Sequence, residues 1–121
     1  MFTISVETHF IASHQLNLPD GSKESSHYHD WVVTAEVSSK KLNNMAVVIN
    51  FQKLKQMLDS IVSNFHNAAL NKLRYFQQNK PSAENVAGYI FEKLDHKLPK
   101  GTKLENVKVV EEPGCWAKFS K

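Results

Sequence analysis

Two stretches near the start of the chain alternate apolar and polar residues, as half-buried β-strands do. Residues 27–38 include Trp31, Val32, Val33, Thr34 and Val37, a composition that favours strands. Residues 17–26 are turn-forming or polar, so they predict a loop. Residues 2–10 predict the first strand, whose apolar face carries Phe2, Ile4, Val6, Thr8 and Phe10.

Two later stretches repeat apolar residues at intervals of three and four, which is the spacing of an amphipathic helix. Asn50 is suited to cap the first helix, because its side-chain oxygen can accept a free amide of the first turn. Ser82 would cap the second, and Pro99 with Gly101 would end it. The apolar stripe of the first helix comprises Phe51, Leu54, Leu58, Ile61, Val62 and Phe65, and that of the second comprises Val86, Ile90, Phe91 and Leu94.

Shorter apolar runs fill the remaining positions. Residues 47–49 predict a short strand before the first helix, residues 107–109 mark a last long strand, and residues 116–119 suit one more. This order predicts a single α+β domain over residues 1–121, with both helices on one face of a mainly antiparallel sheet. Such a sheet has open edges, and we expect neighbouring subunits to close them.

Composition narrows the class of protein. The 121 residues are 41% hydrophobic and 22% charged, which is typical of one soluble globular domain. No apolar run approaches the ~18 residues of a membrane span, and residues 1–5 lack the pattern of a signal peptide. The single cysteine, Cys115, excludes an internal disulfide and favours the cytoplasm. We expect it to pack as a small apolar side chain.

The charge is mildly basic and dispersed. The formal net charge is +3, and Lys40-Lys41 is the only adjacent basic pair. A nucleic-acid-binding protein would usually show a basic stripe or interleaved aromatic residues. The sequence therefore favours a small anionic molecule as partner, and neither nucleic acid nor a membrane.

Three histidines lie where they could share a metal ion. His27 and His29 are two residues apart on a predicted strand, so their side chains share one face with Trp31. His14 follows the first strand, and a hairpin would bring it beside that pair. Three neutral imidazoles suit a catalytic Zn²⁺, which keeps one position open. On spacing alone, two surface histidines on a strand would explain the pattern as well.

Six segments between residues 10 and 111 carry further motifs. They are Phe10-Ile11-Ala12-Ser13-His14, His27-Tyr28-His29, Val48-Ile49-Asn50-Phe51, Leu70-Asn71, Pro81-Ser82-Ala83-Glu84-Asn85-Val86-Ala87 and Val107-Lys108-Val109-Val110-Glu111. In this order they resemble segments of the 6-pyruvoyl-tetrahydropterin synthase family, which includes the bacterial 6-carboxytetrahydropterin synthases. The matching family patterns are F-x-A-x-H, His-Gly-His, V-I-D-F, the end of D-H-x-x-L-N, P-T-x-E-N-x-A and V-x-V-x-E.

This resemblance implies the tunnelling fold, in which a four-stranded antiparallel sheet with two helices trimerises into a barrel and two trimers stack into a hexamer. It implies Zn²⁺ as cofactor, with His14, His27 and His29 as ligands. It also implies that Glu111 anchors a pterin, because a carboxylate can accept two parallel N–H bonds from the ring. Ser82 and Glu84 match the family's substrate-binding helix start.

The resemblance fails at the proton-transfer residues. Residues 20–26 contain no cysteine, which is the family's usual base, and His66-Asn67 replaces its Asp-His pair. Glu24 and His66 are the candidate bases, with the alternative that one is a solvated loop residue and the other a helix end. Asp95-His96, in the last turn of the second helix, is expected to be structural.

Three functions follow. The leading hypothesis is a zinc-dependent lyase that deprotonates a carbon of dihydroneopterin triphosphate or a related pterin, in queuosine or tetrahydrobiopterin/folate-type biosynthesis. Such an enzyme would break a side-chain carbon–carbon bond or eliminate phosphate. The second is a catalytically silent homologue that binds zinc and a pterin. The third is an unrelated basic module for RNA, whose binding would depend on salt and not on metal.

Overall fold

One sheet carries the fold, and its helices lie on one face. The computed structural model describes all 121 residues. In chain order its elements are β1 (Phe2–His14), β2 (His27–Ser39), α1 (Phe51–Val62), β3 (Ala68–Ala69), a 3₁₀ turn (Leu70–Lys72), α2 (Arg74–Gln78), α3 (Ala83–Asp95), β4 (Thr102–Glu112) and β5 (Cys115–Phe119).

The sheet confirms the predicted α+β class. Its strand order is β3-β1-β2-β4-β5, and the four longer strands pair antiparallel. The two-residue β3 adds a short parallel pairing to the outer edge of β1, which the sequence did not predict. Both of the first two strands are longer than expected, and β1 extends to His14. The hairpin therefore reaches the histidines.

The core lies between the inward face of the sheet and helices α1 and α3. Alternate residues of β1 and β2 are fully buried, and the rings of Phe10 and Trp31 stack with centroids 5.7 Å apart. Both predicted caps are present. The Asn50 side chain accepts the amides of Gln52 and Lys53, and Ser82 accepts the amide of Asn85 at 3.1 Å. The helices thus begin where their polar cap residues allow.

The short strand predicted at residues 47–49 was wrong. Asn43 holds this segment in a closed turn, because its side chain accepts the amides of Met45 and Val47. Ala46 adopts a positive φ of 63°, which a strand does not tolerate. The apolar side chains that suggested a strand are buried in the core without one, since Val48 and Ile49 are only 6% and 4% exposed.

The first helix is also shorter than its apolar stripe. It ends at Val62, and Phe65 is buried in the turn that follows. At the other end, Phe51 is exposed, because it is the first residue of the helix. Asn67, with a φ of 60°, turns the chain toward β1 and donates its amide to the carbonyl of Ile11.

Cys115 is exposed, so the packing role predicted for it was wrong. It is the first residue of β5, directly after the turn at Pro113-Gly114. Helix α2 and the 3₁₀ turn before it were not predicted, because their sequence has no apolar stripe long enough to identify them. None of the helices is long and apolar enough to cross a membrane.

Candidate metal centre and adjoining cleft

The three predicted histidines meet at one end of the β1–β2 hairpin. The register pairs His14 with His27, and Ala12 with His29. One ring nitrogen from each histidine lies within 4.8 Å of the others. The ring centroids of His27 and His29 are 4.3 Å apart, and His14 is 5.1 and 5.4 Å from them. Two strands that are continuous with the core therefore position all three rings.

Backbone carbonyls fix the tautomers of two of these rings. The Nδ1–H of His14 donates to the carbonyl of Pro81 at 2.7 Å, and that of His27 donates to the carbonyl of Ser25 at 2.8 Å. A carbonyl only accepts hydrogen bonds, so the ring proton must lie on Nδ1. Each Nε2 then presents a lone pair. Metal-binding histidines are usually oriented in this way by their second nitrogen.

Two of the ligand nitrogens are buried without a hydrogen-bond partner, Nε2 of His14 and Nε2 of His29. An unsatisfied buried acceptor costs about 1–3 kcal/mol. Burial lowers the pKa of His29, and its histidine neighbours act in the same direction, whereas Glu111 opposes them. The neutral imidazole is therefore favoured, and that form binds metal ions.

Glu111 lies against this pair of nitrogens. Its Oε1 is 3.0 Å from Nε2 of His14, and its Oε2 is 3.9 Å from Nε2 of His29. The shorter contact lacks hydrogen-bond geometry. An acceptor nitrogen and a carboxylate oxygen repel each other unless a positive charge lies near both. Three neutral imidazoles that converge in this way form a donor set that suits Zn²⁺ and leaves one coordination position open.

A cleft of about 500 Å³ adjoins the histidines through Glu111. It contains all three predicted substrate-binding residues, since Ser82 and Glu84 at the start of α3 and Glu111 on β4 all line it. Its remaining lining comes from Leu16, Ala83 and residues 115–118. The volume is in the range of small-molecule sites.

Glu24, one of the two candidate bases, is tied by hydrogen bonds to the backbone of Leu16. Its Oε1 accepts the amide of Leu16 at 3.2 Å, and its own amide donates to the Leu16 carbonyl at 3.0 Å. Leu16 lines the cleft. The carboxylate is therefore oriented by the backbone and is partly buried.

His66, the other candidate, lies elsewhere. Its Nδ1 accepts the amide of Ile11 at the outer edge of β1, so the lone pair of Nδ1 is already used. The ring proton lies on Nε2, and neither nitrogen is therefore free to accept a proton from a substrate. Asp95 and His96 lie at the far end of α3, about 20 Å from its start at the cleft. Asp95 pairs there with Lys121 at 3.4 Å, in keeping with the structural role expected of it.

Sequence reasoning missed two kinds of contact. The carbonyls of Pro81 and Ser25 have no sequence signal, because any residue supplies a carbonyl. Cys115 and Trp116 could have been placed beside the cleft from the Pro113-Gly114 dipeptide. That pair predicts a tight turn, which folds β5 back alongside the strand that carries Glu111.

Comparison with known proteins identifies a family whose members are similar to this chain. The sequence model of the 6-pyruvoyl tetrahydropterin synthases matches residues 3–121. A protein of Archaeoglobus fulgidus that carries a provisional 6-carboxy-5,6,7,8-tetrahydropterin synthase name is 30% identical over 118 residues, covering 96% of this chain and 93% of that one. A dihydroneopterin monophosphate aldolase of Pyrococcus furiosus is 28% identical over 102 residues, which are 84% of this chain and 82% of that one.

Solved structures show the same fold at lower identity. The 6-pyruvoyl tetrahydropterin synthase of Caenorhabditis elegans superimposes with a TM-score of 0.84 at 22% identity, covering 99% of this chain and 95% of that one. A Plasmodium vivax 6-pyruvoyltetrahydropterin synthase superimposes with a TM-score of 0.74 at 15% identity, covering 99% and 97%. In that structure a glutamate described as a catalytic residue is replaced by alanine.

Proposed function

This chain belongs to the 6-pyruvoyl tetrahydropterin synthase family, and from that premise we propose that it is a zinc-dependent lyase acting on a phosphorylated dihydropterin. One observation carries the proposal. Nitrogens of His14, His27 and His29 lie within 4.8 Å of one another, and two of them are buried without a hydrogen-bond partner. A bound cation would satisfy both nitrogens at once.

His14, His27 and His29 would hold the zinc. When bound there, zinc supplies a Lewis acid that polarises the oxygens of the substrate side chain and so acidifies the neighbouring carbon. The carbonyls of Pro81 and Ser25 keep two of the rings in the ligating tautomer. Trp31 lies against the inner edge of His14, with ring centroids 4.8 Å apart, and excludes water from that side.

Glu111 would bind the pterin ring in the adjoining cleft. Its carboxylate can accept parallel bonds from a ring N–H and the 2-amino group. Glu111 also lies beside the histidines, so a ring held there would place its side chain next to the metal. Ser82 and Glu84 line the same cleft and would help to orient the ring.

Glu24 would be the general base. A carboxylate removes a proton effectively when it is partly desolvated and fixed in position. The amide of Leu16, a residue of the cleft lining, holds this one in position. A glutamate of the Plasmodium vivax protein is described as a catalytic residue, which is compatible with a catalytic role for a glutamate on this fold. We favour Glu24 over His66, because Nδ1 of His66 accepts the amide of Ile11 and its Nε2 carries the ring proton.

The substrate would be dihydroneopterin triphosphate or a related phosphorylated pterin. One relative carries a tetrahydropterin synthase name and another a dihydroneopterin monophosphate aldolase name, and both names involve a pterin. Proton removal beside the zinc would allow either cleavage of a side-chain carbon–carbon bond or loss of phosphate. We further propose assembly into trimers and hexamers, because the outer edges of β1 and β5 are open over most of their length.

A second candidate function is binding without turnover. The loop before His27 contains no cysteine, and His66-Asn67 stands where the family has its Asp-His pair. A homologue that had lost catalysis and kept zinc and pterin binding would have this combination of residues.

One experiment separates the two functions. Zinc-loaded protein is incubated with dihydroneopterin triphosphate and, separately, with the monophosphate, and products are identified by mass spectrometry. The proposal expects turnover that falls by about 100-fold or more in Glu24→Gln, because a general base contributes 10²–10⁴-fold. Glu112→Gln, beside Glu111 but outside the cleft, is the matched control. Tight pterin binding without product would establish the silent homologue instead.

A further inference from the structure

A second cleft lies at the opposite end of the hairpin from the histidines. It has a volume of about 590 Å³ and is formed where β2 ends at Ser39 and where β4 begins at Thr102. Because β1 and β2 each span 13 residues, the two ends are about 40 Å apart. This cleft plays no part in the proposed pterin chemistry, and its ligand is a separate question.

Four lysines surround this cleft, Lys40, Lys41, Lys100 and Lys103, and no carboxylate lines it. Only Lys103 has an acidic partner, Glu105, at 3.7 Å. The chain has 15 basic and 12 acidic residues. Without these four lysines 11 basic residues would remain against 12 acidic ones. These four lysines therefore outnumber the net positive charge of +3, and they lie around a cleft whose lining contains no carboxylate.

The two lysine-bearing turns are held in place by hydrogen bonds. The Ser39 hydroxyl donates to the carbonyl of Lys41 at 2.6 Å and accepts the amide of that residue at 3.2 Å. The Thr102 hydroxyl donates to the carbonyl of Pro99 at 2.6 Å. The ammonium groups are flexible, but the backbone that carries them is fixed. Like charges brought together in this way repel each other unless an anion lies between them.

The floor of the cleft is apolar. Leu42, Val48 and Pro99 line it between the two turns. A lysine-rich rim attracts phosphate groups as point charges, whereas an apolar floor favours contact with an organic body. A second copy of this chain is a poor occupant, since pairing two such clefts would oppose lysine to lysine.

We propose that this cleft binds a small organic anion that carries two or more phosphate groups. The lysines contact the phosphates, and the apolar floor contacts the organic part. The volume is in the range of sites for such ligands. This binding does not depend on zinc, and it stands whether or not the histidine site acts on a pterin.

The probe is ATP, with inorganic tripolyphosphate as a second ligand that lacks an organic body. Binding is measured by calorimetry on zinc-stripped protein at about 150 mM salt, where dispersed surface charges are screened. We expect ATP to bind more tightly than tripolyphosphate. Backbone amide signals of residues 39–42 and 99–103 should shift in NMR spectra, and those of His14, His27 and His29 should not.

Lys41→Ala/Lys100→Ala should weaken ATP binding by about tenfold or more, because each substitution removes a charge that contacts a phosphate group. Lys72→Ala/Arg74→Ala removes the same charge from an exposed segment outside the cleft and should leave binding unchanged. An equal loss in both double variants would overturn the proposal, as would no binding at this salt concentration. Binding to phosphoinositide vesicles with none to ATP would also overturn it.

Discussion

The inward face of β2 carries one continuous row of side chains, of which one half is apolar and the other half is imidazole. From Trp31 to Val37 every inward residue is apolar and fully buried. Before Trp31 the same row continues as His29 and His27. The apolar half satisfies its own polar groups, since the indole N–H of Trp31 donates to the carbonyl of Ala12 at 3.0 Å. The imidazole half leaves the buried Nε2 of His29 without a partner, and the same is true of Nε2 of His14 on the neighbouring strand β1.

This difference separates the residues that stabilise the fold from those that we propose bind a metal ion. The apolar half contributes free energy whenever the chain folds, because burial of its surface needs nothing else. The imidazole half contributes only when a cation is bound, and without one it lowers stability. Substitutions in the two halves should therefore have effects of different size and different dependence on metal.

The largest effect is expected in the apolar half. Trp31→Ala should lower the free energy of unfolding by about 3–5 kcal/mol, because it opens a large cavity in the core. Urea denaturation of the zinc-free protein measures this change. Trp116→Ala is the control, since that tryptophan is exposed, and it should cost less than about 1 kcal/mol. Equal losses in the two variants would show that the buried row does not carry the stability.

The next effect is expected in the imidazole half and only with metal. Zinc at about 100 times its dissociation constant should stabilise the protein by about 2.7 kcal/mol. His29→Ala should abolish this gain and change the stability of the zinc-free protein much less than Trp31→Ala does. His9→Ala removes an exposed histidine that pairs with Asp30 at 3.0 Å, and it should keep the full gain. Denaturation with zinc and with a chelator measures both quantities.

The sequence predicted the strands and helices of the apolar core more fully than the contacts of the candidate site. Period-two alternation located β1 and β2, and helical spacing with the caps at Asn50 and Ser82 located α1 and α3. It failed at residues 47–49, where the side chain of Asn43 closes a turn that the apolar run alone could not indicate. Burial of an apolar residue does not specify the conformation of its backbone.

For the site, the two-residue spacing of His27 and His29 placed their rings on one face, and hairpin pairing added His14. The contact of Glu111 with these rings, and the position of Cys115 in the cleft, depend on how β4 and β5 cross the sheet. Such contacts join residues that are far apart in the chain. Only the tertiary structure brings them together.

A smaller effect should distinguish the two helix caps. Ser82→Ala and Asn50→Ala should each cost about 1 kcal/mol of stability, because each removes a side chain that accepts first-turn amides. Ser82 also follows Pro81, whose carbonyl holds the ring of His14. Ser82→Ala should therefore weaken zinc binding by about tenfold, as changes behind a ligand do. Asn50→Ala should leave zinc affinity unchanged, and an equal loss in both would show that the cap does not position His14.

The smallest effect is a pH dependence that belongs to one ring of the imidazole half. Burial lowers the pKa of His29 in the folded protein, whereas in the unfolded chain the ring takes up a proton near pH 6.5. Between these two values the unfolded chain binds more protons than the folded one. The free energy of unfolding of the zinc-free protein should therefore fall as the pH falls below about 6.5, and this contribution should level off beneath the folded pKa. Urea denaturation in a chelator at a series of pH values measures the slope, and His29→Gln should reduce it. An identical slope in that variant would show that the buried ring of His29 does not cause the pH dependence of stability in the imidazole half.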